Sequence, residues 1–314
     1  MGKVDKLNTA KKSRDDEFYT LLTDIEKELS HYKDLFVGKT IYCNCDNPIK
    51  SNFVKWFYMR FNILHLKRII VTSYNSATCN EVGYYWDSDF ATVDTKALDI
   101  SKEIEKDVRK LNGDGDFRSN ECIELLKQAD IVVSNPPFSL FRKYVTQLMD
   151  YKKKFIIIGN MNAIAYNEII PYITRNQIMY GYSIHSGDRE FQVPDTYNRT
   201  DKYRIDADGI KYIRVNGVRW FTNMRLQDSN DKLILFKKYI PEEYPKLDNY
   251  DAINVDKTCD IPADYEGVIA VPVSFFDKYN PEQFEIIGKI EPVCRGKRIY
   301  KRLLIKKKPD LLDN

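Results

Sequence analysis

The sharpest chemical feature of the sequence is the run Ser134-Asn135-Pro136-Pro137-Phe138, which follows a short apolar run directly. Two consecutive prolines fix two φ angles and hold a rigid, extended turn. The side-chain oxygen of Asn135 and the carbonyl of Pro136 can then accept the two hydrogens of one planar amino group, while Phe138 offers a ring on which a flat heterocycle stacks. Such a turn aims an amine at an electrophile by positioning and electrostatics, without a metal or a strong base. The structural alternative is a proline-rich turn with a buried phenylalanine.

Four short apolar runs, separated by helical patterns, must position this turn. The apolar runs cover residues 40–45, 68–73, 131–133 and 155–159, and the helical patterns cover 17–32, 51–61, 119–129 and 140–149. Continuous apolar strands that alternate with amphipathic helices are typical of a parallel sheet with both faces covered. The sequence therefore predicts an α/β fold with a doubly wound, mostly parallel sheet. Ligands bind at the carboxyl edge of such sheets, which is where Asn135 would lie.

Charge is distributed unevenly along the chain. The 49 basic and 46 acidic residues nearly balance, but residues 141–225 hold 14 basic and 8 acidic side chains, residues 226–294 hold 7 and 14, and residues 295–314 hold 8 and 2. The near-neutral total excludes a histone-like polycation, whereas two basic segments can steer a polyanion onto one face. A chance asymmetry on a solvated surface explains the same counts.

Several classes of protein are not favoured by the sequence. No stretch approaches about 18 consecutive apolar residues, and no apolar core follows the N-terminal lysines, so we expect neither a membrane span nor a secretory signal. The six cysteines include no C-x-x-C pair, and the three histidines are not spaced with them as zinc ligands would be. We therefore expect reduced thiols, no metal and a cytoplasmic location.

Several stretches besides the Asn135 turn occur in an order that resembles one known family. They are DEFYT (16–20), YCNCDNPIKSNF (42–53), GDGDFRS (113–119), SNPPFSLFRKY (134–144), KKFIIIGNMNAI (153–164), YPKLDNYDAINV (244–255) and YNPEQFEII (279–287). Together they resemble the EcoRI-type adenine-specific (N6) DNA methyltransferases, from about residue 11 to 305. The resemblance is weakest at 75–110 and 181–240. The Asn-Pro-Pro-Phe turn alone fits several amino-methylating enzymes, whereas the ordered set is much more specific.

The resemblance implies a class I S-adenosylmethionine-dependent methyltransferase fold. It also implies methyl transfer from S-adenosylmethionine to the N6 amino group of an adenine in a specific short site of double-stranded DNA. In a restriction-modification system, a cognate restriction endonuclease would act on the same site without having to bind this protein. The catalytic residues would be Asn135, Pro136, Pro137 and Phe138. The implied cofactor-binding residues are Phe18, Tyr19, Thr20, Asn44, Cys45, Asp46, Ser73, Tyr74, Asp116 and Phe117.

Two loops depart from the family pattern. The glycine-rich loop expected after the first strand is replaced by residues 44–48, and the second strand ends at 72–74 without the acid that would bind ribose hydroxyls. Asp46 either supplies that missing carboxylate or caps the helix that begins near Ser51. The pair Asp116-Phe117 flanks the cofactor adenine in the family, and is otherwise a plain turn.

Arginines and aromatic residues are interleaved in the basic segment 181–225. An adenine inside a duplex must be flipped out before it can react, which requires phosphate contacts and side chains that read base edges. The candidate DNA-binding residues are Arg189, Gln192, Asn198, Arg199, Lys202, Arg204, Arg214 and Trp220. Some of these arginines could instead pair with neighbouring acids. Trp220, on a hairpin predicted around Asn216-Gly217, could instead be a core residue. Residues 297–308 form either a further phosphate-contacting surface or a solvated tail.

We expect four regions along the chain: a flexible basic arm (1–13), the cofactor-binding and catalytic α/β domain (14–180), a target-recognition region (181–245) and a C-terminal part that packs on the catalytic domain and carries a basic tail (246–314). Two alternative functions stay open. One is an RNA amino-methyltransferase with the same turn, because similar turns serve other planar amines. The other is a non-catalytic DNA-binding protein on a methyltransferase fold, which the intact Asn135 turn argues against and the missing glycine loop leaves open.

Overall fold

The chain divides into two units in the computed structural model, which describes residues 19–74, 82–184, 187–193, 203–226 and 231–309. Unit 1 takes its described residues from Met1–Asn160 and Gly181–Met224, and unit 2 from Met161–Tyr180 and Arg225–Asn314. This division differs from the predicted one because part of the expected recognition region belongs to the unit that holds the Asn135 turn. The predicted arm, 1–13, lies outside the described residues.

The described helices and strands follow closely the predicted alternation in the first half of the chain. The α-helices are α1 (Leu22–Leu29), α2 (Lys33–Phe36), α3 (Asn52–Arg60), α4 (Ile100–Lys106), α5 (Asn120–Gln128), α6 (Phe141–Asp150) and α7 (Ile170–Thr174). The first strands are β1 (Tyr19–Thr20), β2 (Thr40–Asn44), β3 (Arg68–Ser73), β4 (Tyr84–Asp87), β5 (Arg109–Lys110), β6 (Ile131–Ser134), β7 (Lys154–Asn160), β8 (Met179–Tyr180) and β9 (Asp188–Val193). The later strands are β10 (Tyr203–Ile205), β11 (Lys211–Asn216), β12 (Val218–Thr222), β13 (Ile253–Asn254), β14 (Ile269–Pro272), β15 (Phe284–Ile290), β16 (Val293–Cys294), β17 (Lys297–Arg298) and β18 (Arg302–Lys307).

The main sheet of unit 1 has the strand order β5-β4-β3-β2-β6-β7-β12. Strands β3, β2, β6 and β7 are mutually parallel, and they correspond to the four apolar runs of the sequence. Strands β4 and β12 pair antiparallel with their neighbours at the two sides of this parallel set. All five residues of β2 are buried, as expected for a strand covered on both faces. The predicted fold class, α/β with a mostly parallel sheet, is confirmed.

A second, smaller sheet in unit 1 is antiparallel, with the order β1-β9-β11-β10. In it Tyr19 lies opposite Gln192, and Thr20 lies opposite Phe191. The predicted hairpin around Asn216-Gly217 is wrong, since β11 belongs to this sheet whereas β12 pairs with β7 of the main sheet. Gly217, with φ 68°, lets the chain turn from one sheet into the other. An Asn-Gly pair supplies the left-handed backbone of a corner as readily as that of a hairpin.

Unit 2 contains a four-stranded sheet of order β13-β14-β18-β15 and a two-stranded pair, β16-β17. Its sheet packs on a hydrophobic cluster that includes Leu247, Ala252, Ala270 and Leu304. Within the described parts of both units, no helix is long and apolar enough to cross a membrane.

Candidate active site

The carboxyl ends of β2, β3 and β6 meet at one edge of the main sheet because these strands are parallel. Their last residues, Asn44, Ser73 and Ser134, are all buried. After Ser134 the chain enters the Asn135 turn, residues 135–138, which leads through a short 3₁₀ turn into α6. The turn therefore lies where ligands bind in doubly wound sheets.

The Asp46 carboxylate joins the loop after β2 to the Asn135 turn. Its Oδ1 accepts a hydrogen bond from the Ser51 hydroxyl at 2.7 Å, and its Oδ2 accepts one from the Ser134 hydroxyl at 2.6 Å. The carboxylate also accepts a hydrogen bond from the backbone of Asn135. Burial raises the pKa of Asp46 to about 6, against the opposing effect of these three hydrogen bonds. We define Asp46, Ser51, Ser134 and Asn135 as the Asp46 node.

The structure corrects one of the two sequence hypotheses for Asp46, that it caps the helix. Ser51 itself is the N-cap of α3, since its hydroxyl oxygen accepts a hydrogen bond from the Phe53 backbone N–H at 3.2 Å. Asp46 supports the helix only through that cap. Its carboxylate accepts hydrogen bonds from Ser51 and Ser134 and so positions the turn, and a contact with ribose hydroxyls stays a prediction.

Asn44 is also engaged within the protein. The Tyr144 hydroxyl, on α6, donates to Asn44 Oδ1, and the Ser134 hydroxyl contacts the Asn44 carbonyl oxygen. Burial raises the pKa of Tyr144 well above its ordinary value, so the phenol keeps the proton that it donates. Strand β2, the Asn135 turn and α6 are thus connected by hydrogen bonds among buried groups.

Cys45 provides the backbone conformation that a glycine-rich loop would normally provide. Its φ is 79°, in the left-handed region that glycine adopts most easily. The backbone N–H groups of Cys45 and Asp46 both donate to the Thr72 carbonyl oxygen, at 3.0 and 3.1 Å. These bonds fix the loop after β2 against the end of β3. Burial also raises the pKa of the Cys45 thiol, so it is not a reactive thiolate.

The glycines that allow close backbone approach lie elsewhere at this edge. A Cβ atom on Gly115 would lie 2.1 Å from the Ser73 carbonyl oxygen, and one on Gly83 would lie 2.5 Å from the same atom. Gly115 also has φ +81°. Two glycine-containing segments therefore close against the end of β3, the strand that lacks the expected terminal acid.

Asp116 and Phe117 follow this glycine segment. Asp116 accepts hydrogen bonds from the backbone N–H and the Nε of Arg118, both at 2.8 Å, and the guanidinium lowers the pKa of the carboxyl. The Phe117 ring is buried edge-on against Tyr144, with 5.0 Å between the ring centroids. The backbone carbonyl oxygen of Asp116 also accepts a hydrogen bond from the Ser119 backbone N–H at 2.9 Å, so Asp116 and Phe117 do form a turn. A cofactor role for both residues stays a prediction.

The N-terminal cofactor motif reaches the same region through Thr20. Asn52, the first residue of α3, donates from Nδ2 to the Thr20 carbonyl oxygen at 2.8 Å. The Thr20 hydroxyl is buried and has no hydrogen-bond partner among the described residues. Tyr74, after β3, is 44% exposed, whereas Ser73 Oγ accepts a hydrogen bond from the Tyr84 backbone N–H at 3.2 Å. Phe18 lies outside the described residues.

Three predicted DNA-binding residues lie on one face of the small sheet. Gln192 and Arg204 both lie opposite Tyr212, and Arg214 lies two residues further along β11. The Arg204 guanidinium carbon is 4.5 Å from the Tyr212 ring centroid. Its Nη2 also lies 3.0 Å from Glu190, and Arg214 Nε is 4.0 Å from the same carboxylate. The alternative that arginines of this segment pair with acids therefore holds for these two, although both stay exposed.

The remaining predicted DNA contacts divide differently. Arg189 lies opposite Val215, on the other face, and its Nε is buried without a partner among the described residues. Trp220 is fully buried on β12, where its ring packs edge-on against Phe53 at 5.9 Å. The assignment of Trp220 to DNA binding is therefore corrected to core packing, because a side chain with no exposed surface cannot meet a base. Asn198, Arg199 and Lys202 lie outside the described residues.

Glu28, on α1, is fully buried and is not among the residues predicted from the sequence. Its carboxylate accepts hydrogen bonds from the backbone N–H groups of Tyr182 and Ser183, at 2.8 and 2.7 Å, and from the Tyr32 hydroxyl at 3.0 Å. It thus holds the segment that leads toward the small sheet. The available signal was an acid between Ile25 and Leu29 on the apolar face of the helix. No group of three or more His, Cys, Asp or Glu side chains in the described ranges is placed to hold a metal ion.

The raised pKa of Asp46 predicts a pH-dependent contribution to stability. Asp46 takes up its proton near pH 6 in the folded protein but near its ordinary value of 3.8 in the unfolded chain. Between these values the folded state binds more protons, so this group makes the free energy of unfolding rise as pH falls from about 6 to about 4. The full effect is on the order of 3 kcal/mol.

Asp46→Asn cannot titrate, so we expect this variant to lose that rise. Urea unfolding at pH 4.5 and pH 7, followed by tryptophan fluorescence, measures it, because Trp56, Trp86 and Trp220 are all buried in unit 1. The exposed Asp150→Asn serves as the control. The same pH dependence in the wild type and in Asp46→Asn would contradict the assignment.

An α/β sheet of this topology, with the Asn135 turn at its carboxyl edge, fits the class I methyltransferase fold. The model of the family described as adenine-specific methyltransferase EcoRI matches residues 6–308, and the chain belongs to this family. It is 45% identical over 321 residues to the type II methyltransferase M.EcoRI of Escherichia coli, with 96% of each chain covered.

Two further relatives come from mycoplasmas. The chain is 36% identical to the type II methyltransferase M.MgeORF184P of Mycoplasma genitalium, over 96% of this chain and 98% of that one. It is 34% identical to the type II methyltransferase M.MpnI of Mycoplasma pneumoniae, over 97% of this chain and 99% of that one. The family predicted from the ordered motifs is confirmed, and the protein is an adenine-specific DNA methyltransferase.

Proposed function

We propose that the protein transfers a methyl group from S-adenosylmethionine to the N6 amino group of an adenine flipped out of one short site in duplex DNA. The observation that carries this proposal is the Asn135 turn at the carboxyl edge of the parallel sheet, held by the Asp46 node. We further propose that the enzyme is the modification partner in a restriction-modification pair. The endonuclease of that pair would recognise the same site without binding this chain.

The residues at the sheet edge fit S-adenosylmethionine. The buried Thr20 hydroxyl has no partner among the described residues, and a polar group of the cofactor would satisfy it. Gly83 and Gly115 keep the end of β3 free of side chains, so that backbone and ligand can approach closely. Tyr74 and Asp116, both partly exposed, would contribute a ring and a carboxylate at the same edge. When bound, the cofactor supplies an electrophilic methyl group.

The Asn135 turn would hold and orient the attacking amine. Asn135 Oδ1 and the Pro136 carbonyl oxygen accept the two amino hydrogens, which leaves the nitrogen lone pair free to point at the methyl carbon. Phe138 stacks on the adenine ring. Because the Asp46 carboxylate holds the backbone of Asn135 and the hydroxyl of Ser134, both acceptors are fixed before the substrate arrives. Such preorganisation lowers the barrier without a basic catalyst, because the C–N bond forms as the methyl–sulfur bond breaks and the product amine then releases its extra proton to solvent.

The exposed face of the small sheet would contact DNA near the flipped base. Arg204 and Arg214 can bind guanine edges or phosphates, and Gln192 can bind an adenine edge. Asn198, Arg199 and Lys202 stay predicted contacts from the sequence, as does the cytoplasmic location of the enzyme. Family membership favours this function over an RNA methyltransferase or a non-catalytic binding protein.

Transfer of labelled methyl groups tests the proposed function. Purified protein is incubated with labelled S-adenosylmethionine and either unmethylated plasmid DNA or ribosomal RNA, and the products are hydrolysed to nucleosides. We expect label in DNA alone, and we expect to recover it as N6-methyl-2′-deoxyadenosine. Label in RNA alone would show that the substrate is RNA rather than DNA, and would leave the proposed role of the Asn135 turn unchanged. No transfer and no cofactor binding would favour the binding-protein alternative.

A further inference from the structure

The basic C-terminal stretch of the sequence is not a loose tail, since its second half, β18, is a largely buried strand of the sheet in unit 2. Strands β15 and β18 pair antiparallel up to Ile290, opposite Arg302. The pairing resumes where the Ile299 backbone N–H donates to the Pro292 carbonyl oxygen at 3.0 Å, and where Val293 lies opposite Arg298. Residues 284–307 therefore form one long two-stranded ribbon whose base lies in the sheet of unit 2. We call its outer part, residues 291–301, the basic ribbon.

The tip of the basic ribbon has a defined shape. Arg295 and Gly296 both adopt left-handed backbone, with φ 51° and 72°, which is the pattern of a two-residue type I′ turn. The Gly296 backbone N–H donates to Asp248 Oδ2 at 2.7 Å, and the Val293 backbone N–H donates to Asn249 Oδ1 at 3.0 Å. A neighbouring segment thus braces the turn, and a ligand would bind it with little ordering cost.

One side of the ribbon is fixed to the body of unit 2. Ile290 and Cys294 pack against the hydrophobic cluster that contains Leu247 and Leu304. The Asp248 backbone N–H also donates to the Val293 carbonyl oxygen at 2.7 Å. The side chains at the tip are consequently presented on a fixed support.

The cations at the tip are exposed. No carboxylate of the described residues lies within ion-pair distance of Arg295, Lys297 or Arg298. Other cations of the same unit do pair with acids, as in the 2.7 Å pair of Arg302 with Asp256 and, at the base of the ribbon, the 3.6 Å pair of Lys301 with Glu291. Lys297 and Arg298 are successive residues of β17 and therefore extend from opposite faces of the ribbon, while Arg295 lies in the turn itself.

We propose that the basic ribbon is a second DNA-binding element of this enzyme, whose tip contacts the phosphates that border a groove of the duplex. This rests on the proposed DNA substrate. A two-stranded ribbon has the width that the major groove of B-DNA admits. Tyr300, which is 62% exposed beside the tip cations, adds a ring that can pack on sugar or base. Three phosphate contacts would release counterions and make binding more sensitive to salt.

The test removes these three charges without disturbing the turn. The ribbon variant is Arg295→Asn, Lys297→Gln and Arg298→Gln, since asparagine tolerates left-handed backbone. The control variant is Lys39→Gln, Lys67→Gln and Lys154→Gln, which removes three exposed lysines at the amino ends of β2, β3 and β7. Both variants change the net charge equally. Thermal unfolding and S-adenosylmethionine binding confirm that each is folded.

Binding to fluorescent fragments of unmethylated plasmid DNA is then measured by anisotropy over a range of salt. We expect the ribbon variant to bind about tenfold or more weakly at moderate salt, and the slope of log affinity against log salt to fall by about 2 to 3. The control variant should keep the wild-type slope. Wild-type affinity and slope in the ribbon variant, or equal losses in both variants, would overturn the ribbon proposal while leaving the DNA substrate intact. Failure of the wild type to bind duplex DNA would overturn both proposals.

Discussion

Replacing Asn135 by alanine is expected to lower the turnover number by about 10²–10³ while S-adenosylmethionine affinity stays within about threefold. Alanine removes the side-chain oxygen that would accept an amino hydrogen. It keeps the backbone N–H through which the Asp46 carboxylate holds the turn. The fold and the remaining acceptor, the Pro136 carbonyl, should therefore survive. The loss should fall on the chemical step because the missing interaction acts on the reacting nitrogen.

Single-turnover kinetics with labelled cofactor, together with calorimetric measurement of cofactor binding, separate these two effects. Asn62→Ala is the matched control, because Asn62 is exposed and its side chain donates only to Thr95 Oγ1 at 3.2 Å. Asn135→Asp retains an acceptor at the same position and should keep more activity than Asn135→Ala. Near-normal turnover in Asn135→Ala would remove this residue from the catalytic role.

Replacing Gly115 by alanine is expected to lower the free energy of unfolding of unit 1 by about 2–4 kcal/mol. An added Cβ would lie 2.1 Å from the Ser73 carbonyl oxygen, and φ is +81°, so the segment 113–117 must move away from β3. Asp116 and Phe117 would move with it. We therefore also expect cofactor affinity to fall by about tenfold or more, the equivalent of about 1.4 kcal/mol.

Gly113→Ala is a matched control two residues away, since a Cβ atom there would meet nothing within 4 Å. Urea unfolding followed by tryptophan fluorescence, and calorimetric cofactor binding, are measured for both variants. Gly113→Ala should change stability by about 0.5 kcal/mol or less. If both substitutions have the same small effect, the close approach at Ser73 does not organise this edge of the sheet.

The sequence predicted the part of the fold that local patterns determine. The four apolar runs became β2, β3, β6 and β7, and the Asn135 turn lies after β6 as expected. These elements can be predicted because the pattern of apolar residues within a short stretch of sequence shows whether that stretch is a buried strand or an amphipathic helix. The ordered motifs predicted the family equally well, since they depend on the residue types of each motif and not on which distant strands pair.

The pairing of distant segments could not be read in the same way. Asp46 and Ser134 are 88 residues apart, and only the parallel register of β2 and β6 brings them together. Likewise, nothing in the sequence around Gly217 distinguishes a corner between sheets from a hairpin. Trp220 is of a residue type that can stack on a base, but in the structure its side chain is buried in the core. The sequence could not show this, because burial is a property of the whole fold.

The role of the C-terminal basic residues could not be predicted from the sequence either. Charge alone left residues 297–308 as either a phosphate-contacting surface or a solvated tail. The structure instead buries Arg302, which forms an ion pair with the exposed Asp256, and leaves Arg295, Lys297 and Arg298 exposed at a braced turn. Strand pairing, which composition does not reveal, separates the structural cations from those available to a ligand.

The most direct test of the central claim is modification-sensitive sequencing of DNA from a host that lacks adenine methylation and expresses this protein. We expect N6-methyladenine at one adenine of a single short sequence throughout that DNA, and its loss when the host expresses Asn135→Ala at the same level. DNA without N6-methyladenine in the presence of folded, cofactor-binding wild-type protein would contradict the account, as would undiminished methylation by the variant.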